Sequence, residues 1–136
     1  MSRNIIISKR DGSKEELDLE KMHKVVFYAC EGVTGVSASE VEIKSHISFY
    51  NGIETKDVQE TLIKSAADLI SEETPNYQWV AGRLINYHLR KIVYNSFEPE
   101  HLKDIARRNV DLGIYDESFF AVYNEQEIEQ LNNFIK

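Results

Sequence analysis

The chain has 136 residues, 42% of them hydrophobic and 29% charged, a formal net charge of -7 and one cysteine. That is enough chain for one domain, or one domain with an appendage, around a real core, and too acidic overall for a general nucleic-acid binder. No apolar run approaches the roughly 20 residues that span a bilayer, and the start lacks a signal-peptide core. Cys30 alone makes neither an internal disulfide nor a zinc cluster, so the expected compartment is the cytoplasm.

The first predicted element is a hairpin: a strand from Asn4 to Lys9, a turn over Asp11-Gly12, and a strand from Glu15 to Leu17. Asp-Gly between apolar runs is a strong hairpin signal. Asp18 then serves as N-cap of a helix from Leu19 to about Cys30, with apolar residues at Leu19, Met22, Val25, Val26 and Ala29. After Gly32 and Gly35, Ser37-Ala38-Ser39-Glu40 reads as a capping box opening a second helix to about Phe49. Asn51-Gly52 ends it, and Thr55 caps a third helix with apolar positions Val58, Leu62, Ala66, Leu69 and Ile70. Asp57 falls in the first turn of that helix, where the helix dipole favours an anion.

Pro75 starts a fourth helix reaching about Tyr94, with Val80, Ala81, Leu84, Ile85, Leu89 and Ile92 as its expected buried stripe. Ser96-Phe97-Glu98-Pro99 marks a boundary. Beyond it the pattern predicts a helix over Glu100–Val110 stopped by Gly113, then short helices over about 117–122 and 125–135. The expected architecture is mainly α, with a small β-hairpin cap over a four-helix core and a helical tail. The domains expected are 1–95 and 96–136.

Charge is uneven along this plan. Residues 1–97 carry 12 Lys/Arg against 14 Asp/Glu, and residues 98–136 carry 4 against 9. No acid lies between Glu73 and Glu98, whereas Arg83, His88, Arg90 and Lys91 do, a distribution that suits a small anionic ligand better than a duplex. The pattern holds no catalytic Ser/His/Asp spacing, HExxH, GxxxxGK[ST] or GxGxxG. The four histidines, His23, His46, His88 and His101, are scattered through helices as surface or core residues. Cys30 reads as a small core residue.

One constellation points to a ligand. Lys9 and Arg10 flank the hairpin turn, Lys21 follows the first helix start, and His88 and Lys91 are three apart on one helix. A triphosphate needs several such donors, because one charge-assisted hydrogen bond contributes about 1.5–3 kcal/mol and micromolar binding takes about 8 kcal/mol. On pattern alone, ordinary solvated charges are the favoured account of the same residues. Asp18 and Thr55 are explained as caps, although helix N-termini also bind anionic groups.

The runs Lys9-Arg10-Asp11-Gly12-Ser13, Leu19-x-Lys21-x-His23 and Ala29-x-Glu31-Gly32 resemble the ATP-cone, the regulatory nucleotide-binding domain of ribonucleotide reductase large subunits. So do Gly52-Ile53-x-Thr55, Ile63-Lys64-x-Ala66-Ala67-Asp68-Leu69-Ile70-Ser71, Pro75-x-Tyr77-Gln78, and Ala81-x-Arg83-Leu84 with His88-Leu89-Arg90-Lys91. Tyr94, Phe97-Glu98-Pro99 and Gly113-x-Tyr115-Asp116 resemble the helical segment leading towards the catalytic barrel in class I large subunits, so the likeness covers the whole chain.

The resemblance implies an effector domain that binds ATP as activator and dATP as inhibitor, with Mg accompanying the nucleotide and no cofactor of its own. By position, Lys9, Arg10, Lys21, His88 and Lys91 would face the phosphates. Glu15 and Asp18 would read the adenine edge, and Thr55 and Gln59 would lie along the ribose and phosphates. Asp57 would transmit inhibition. Position 18 departs from the family's Asn and position 59 from its His. An ionised Asp only accepts, so it takes the adenine N6 amine and cannot donate to a ring nitrogen.

Reductase chemistry needs several cysteines, so no catalysis is expected of this chain. It reads as either a fragment of a longer large subunit or a natural short or split product, and the ending within Asn132–Lys136, in what resembles continuing chain, favours the fragment. The implied partners are the remainder of the large subunit and the radical-generating small subunit or another large subunit, with neither nucleic acid nor membrane. The competing reading is a helical interaction module that contacts a reductase subunit without binding nucleotide. A cone-bearing repressor would need paired CxxC motifs, which are absent.

Overall fold

The computed structural model describes residues 4–135; the first three residues of the expected 1–95 domain, and Lys136, lie outside them. The chain divides into two compact units, one up to Leu89 and one from Arg90 onward.

The first unit opens with β1 (Ile6–Ser8) and β2 (Lys14–Glu16), paired antiparallel with Ile7 opposite Glu15. Gly12 closes the turn at φ 83°, in the left-handed region that Gly adopts without a Cβ penalty. Helix α1 (Leu19–Cys30) starts where the sequence places it: Asp18 Oδ1 accepts from the N–H groups of Glu20 and Lys21 at 3.0 and 3.1 Å. Helix α2 covers Ala38–His46. After it the structure adds a strand that the sequence pattern did not reveal, β3 (Ile53–Glu54), parallel to β1 in a sheet ordered β2-β1-β3. Helices α3 (Thr55–Asp68) and α4 (Tyr77–Tyr94) follow.

Met22, Val26 and Ala29 of α1, Val41 of α2, Leu62 and Ala66 of α3, and Tyr77, Val80, Ala81 and Leu84 of α4 form the buried core. A smaller cluster of Ile7, Ile53 and Val58 seats the sheet on α3. Cys30 is half-buried against the larger cluster, as a small core residue would be. Three members of the expected α4 stripe are not buried, however: Ile85, Leu89 and Ile92 are 49%, 54% and 49% exposed. Leu19 and Ile70 are exposed as well. Periodicity identifies one face of a helix, but not how far along that face a neighbour extends.

The expected capping box at Ser37 is rewired. Ser37 makes no side-chain cap. Instead the buried Tyr77 hydroxyl accepts the Ser37 N–H at 3.0 Å and donates to Glu40 Oε2 at 2.7 Å. The phenol thus stands between the two residues that the box would have joined. Thr55 is likewise not a cap; it is the first residue of α3, after the N-cap Glu54. Its hydroxyl donates to the Ser8 carbonyl at 3.2 Å. At the far end of α1, Arg83 Nη1 donates to the carbonyls of Ala29 and Glu31 at 3.2 and 2.6 Å, satisfying acceptors that a helix C-terminus leaves open.

The second unit contains α5 (Leu102–Asp111), α6 (Phe119–Val122) and α7 (Glu125–Ile135). Helices α5 and α7 bury Ala106 and Ile128 and are joined by polar ties. Asn132 Oδ1 accepts from the Leu102 N–H at 2.8 Å, Lys103 Nζ pairs with Glu125 at 2.7 Å, and His101 Nε2 lies 2.8 Å from Glu129. His101 Nδ1 caps α5 by accepting from the Lys103 N–H, which requires the proton to sit on Nε2. A reciprocal capping box forms at α7: Asn124 Oδ1 accepts from the Glu127 N–H, and Glu127 Oε2 from the Asn124 N–H, each at 2.9 Å. Among the described residues no helix is long and apolar enough to cross a membrane.

The two caps make contrasting predictions. Asn124→Ala should destabilise the second unit by about 1 kcal/mol, whereas Ser37→Ala, which removes no hydrogen bond, should leave stability within error. Chemical denaturation and amide exchange at Gln126 and Glu127 would distinguish them. Tyr77→Phe strands the Ser37 N–H and should cost about 1–3 kcal/mol. Burial, then the hydrogen bond to Glu40, raise the Tyr77 phenol above its ordinary 10.0. Its contribution is therefore fully present below about pH 10 and is lost as pH climbs through the folded-state value. Tyr77→Phe should flatten that alkaline decline in a series of thermal melts.

Candidate functional site

The candidate residues of the first unit sit on three joined pieces of backbone. The first is the hairpin. Its turn is closed by Lys9 N–H donating to Ser13 O at 2.8 Å and Gly12 N–H to Lys9 O at 2.9 Å. The Asp11 carboxylate accepts from the Ser13 N–H and hydroxyl, and these bonds hold its pKa below the ordinary 3.8. Asp11 is therefore a turn residue. Arg10 is exposed at the tip. Lys9 Nζ lies 2.7 Å from Glu15 Oε2 across the two strands, and that hydrogen bond raises the Lys9 pKa above 10.5, so Lys9 remains a cation throughout the neutral range.

The second piece is the start of α1, two residues beyond β2. Asp18 has both oxygens facing donors: Oδ1 takes the cap N–H groups and Oδ2 lies 3.9 Å from Lys21 Nζ. The third piece is the start of α3, which the Thr55–Ser8 bond and the β1–β3 pairing bring beside the end of β1. Asp57 lies in the first turn there. Gln59 is one turn beyond Thr55, and its Oε1 is buried without a hydrogen-bond partner. An orphaned buried acceptor of this kind is uncommon and costly in a folded chain.

Two expected members, His88 and Lys91, have no hydrogen bond or ion pair with the hairpin among the described residues. His88 is half-buried on α4. Lys91 belongs to the second unit, where its ammonium lies 5.0 Å from the centroid of the Phe97 ring. The cationic face expected between Glu73 and Glu98 is also smaller than its composition suggests. Arg83 is committed to the end of α1, and Arg90 Nη1 donates to the Phe97 carbonyl at 3.4 Å.

Chemically, the hairpin and the starts of α1 and α3 offer cations, acceptor carboxylates and a hydroxyl on one small sheet. Two of the cations are already matched with acids, Lys9 with Glu15 and Lys21 with Asp18. Solvent-exposed pairs of this kind are individually weak. Among the described residues no group of three or more His, Cys, Asp or Glu could hold a metal ion. Two open depressions, of about 470 and 640 Å³, are lined by none of the candidate residues, although the first takes in Leu19 and Glu20 at the start of α1. One is beside His23 and Glu42, the other between Thr34 and Trp79. Charge placement therefore defines the candidate site, and concavity does not.

Sequence reasoning missed Tyr77 and Arg83 as the residues that fix α2 and α1 against α4, and it missed β3. Only the isolated charge of Arg83 within the apolar stretch from Trp79 to Ile85 hinted at one of them.

Residues 5–92 match the family model described as the ATP cone domain. Over 135 residues the chain is 48% identical to ribonucleoside-diphosphate reductase 1 subunit alpha of Escherichia coli K12, and 50% identical to the subunit alpha of Buchnera aphidicola from Acyrthosiphon pisum. It is 38% identical over 134 residues to the subunit alpha of enterobacteria phage T4. These alignments take in 97–99% of this chain, which spans only about 17–18% of the length of those relatives. The family match runs through the whole sheet, α1, α2 and α3, and almost to the end of α4, and on that ground the chain belongs to the ATP-cone family.

Proposed function

We propose that this chain is the overall-activity regulatory domain of a cytoplasmic ribonucleoside-diphosphate reductase large subunit. ATP binding to it would activate, and dATP binding inhibit, the reduction of ribonucleotides to deoxyribonucleotides. The observation that carries this reading is the ATP-cone match over residues 5–92, supported by relatives that are themselves reductase alpha subunits.

In this reading Lys9, Arg10, Lys21, His88 and Lys91 supply the phosphate contacts, with Mg arriving on the nucleotide. Glu15 and Asp18 accept from the adenine amine. Thr55 and Gln59 lie along the ribose. ATP and dATP differ by one hydroxyl, so discrimination rests on a tight sugar contact rather than on the phosphates. The chain itself catalyses nothing. Its effect is exerted on the remainder of the large subunit and, through regulated oligomers, on the radical-generating subunit or another large subunit, with Asp57 in the path of inhibition.

A second reading is a helical interaction module that contacts a reductase subunit without nucleotide. It is favoured by the pairing of Lys9 and Lys21 with acids and by the exposed Phe27, Ile43 and Ile47 on α1, α2 and its end. A calorimetric titration of the chain with ATP and with dATP, with mass measured at each step, separates the two. Micromolar binding of both nucleotides is expected, and Lys9→Ala should weaken each about tenfold or more. The absence of both heat and thermal shift with either nucleotide overturns the first reading. A subunit complex indifferent to both would then establish the second.

A further inference from the structure

Gly82 stands inside α4, and nothing within the first unit requires a glycine there. Its φ is not positive, and a Cβ added to it would meet no atom within 4 Å. Glycine in a helix interior is nevertheless less stable than alanine. The residue lines the larger open depression, of about 640 Å³, together with Thr34, Asn76, Trp79, Arg83 and Asn86. Trp79, Gly82, Arg83 and Asn86 fall at i, i+3, i+4 and i+7, on one face of α4. Trp79 is 60% exposed. Arg83 is the one charged residue among those lining the depression. Its Nη1 is engaged by the carbonyls of Ala29 and Glu31, and among the described residues its other N–H groups have no partner. Asn76 Nδ2 donates to the Thr34 carbonyl at 2.9 Å, which leaves its Oδ1 as an acceptor.

We propose that this face of α4 docks an acidic, extended peptide segment of a partner protein. The partner backbone passes over Gly82, an apolar side chain rests on Trp79, and a carboxylate takes the remaining N–H groups of Arg83. A missing Cβ lets a foreign backbone approach closely, which gives the glycine the purpose that internal packing does not. Trp and Arg are the residue types that most often dominate binding energy at interfaces, and a guanidinium matches a carboxylate in shape as well as charge. The charge is complementary: no Asp or Glu lies between Glu73 and Glu98, so α4 carries no acid to occupy Arg83. The depression is too open to enclose a small molecule. From Trp79 to Asn86 the helix axis runs about 10 Å, the length of about three extended residues. The inference lies wholly within the first unit and is independent of the nucleotide reading.

Trp79 is the only tryptophan of the chain, so its fluorescence reports on this face alone. The probe is a capped pentapeptide of alternating glutamate and leucine, titrated into the full chain. The same peptide with lysine for each glutamate, and Mg·ATP, are titrated beside it. The acidic peptide should shift Trp79 emission to the blue, saturably and less at high salt, and should move the amide resonances of Gly82 and Asn86. The lysine peptide should do neither. Gly82→Ala should raise the melting temperature by a few degrees yet weaken the acidic peptide about fivefold or more, the cost of forcing a methyl into a packed contact. A purely structural glycine would not give these opposed changes. The proposal is overturned if the acidic peptide leaves Trp79 and Gly82 unmoved, or if the lysine peptide binds as well. It is also overturned if Mg·ATP moves these signals in place of the peptide, or if Gly82→Ala stabilises the chain without weakening the peptide.

Discussion

The hairpin and the start of α3 hang on β1, a strand of only three residues whose backbone groups, with that of the flanking Ile5, are claimed from several directions. Leu17 N–H donates to Ile5 O and Gly52 N–H to Ile6 O, each at 2.8 Å, while Asn51 Oδ1 accepts from the Ile6 N–H. The Thr55 hydroxyl takes the Ser8 carbonyl. A two-stranded hairpin is marginal in water by itself. Here Ile7 is buried against Ile53 and Val58, and the parallel strand β3 covers the other edge of β1. The sheet is thereby locked to the start of α3. This constraint converts a polar turn into a fixed platform, so that Lys9, Glu15 and Thr55 keep defined positions on it.

The electrostatics of that platform are balanced rather than simply basic. The two pairs Lys9–Glu15 and Lys21–Asp18 are solvent-exposed and individually weak. They hold long side chains in order without burying charge. The half-buried Arg83 instead serves the architecture, its Nη1 reaching two carbonyls at the end of α1. Cations close together in sequence thus divide between architecture and exposed surface. Composition alone does not show which is which.

Local signals were read well where the partner lies within a few residues. Asp18 caps α1 through amides two and three positions away, and Asp-Gly closes the hairpin as expected. The same logic failed at Ser37, because Tyr77, 40 residues on, took over both ends of the expected box. It passed over Asn124 and Glu127, which do form one. The candidate site was legible as a set of positions, and the hairpin with the two helix starts does assemble on joined backbone. Lys91 faces the Phe97 ring, a contact that helical spacing could not indicate.

What the sequence by itself determined is what short-range chemistry controls: helix spans from apolar periodicity, the tight turn, the cap of α1, the acidic tail and the family. What only the tertiary structure decided is which of several competent partners each polar group takes. Ser37 N–H goes to Tyr77, the Ala29 carbonyl to Arg83, and the Ser8 carbonyl to Thr55, across separations of 40, 54 and 47 residues. It also decided that the apolar stripe of α4 is buried only at its N-terminal end. The reason is physical. A buried donor or acceptor must be satisfied by whichever group packing brings nearest, and packing over such distances is a property of the whole core.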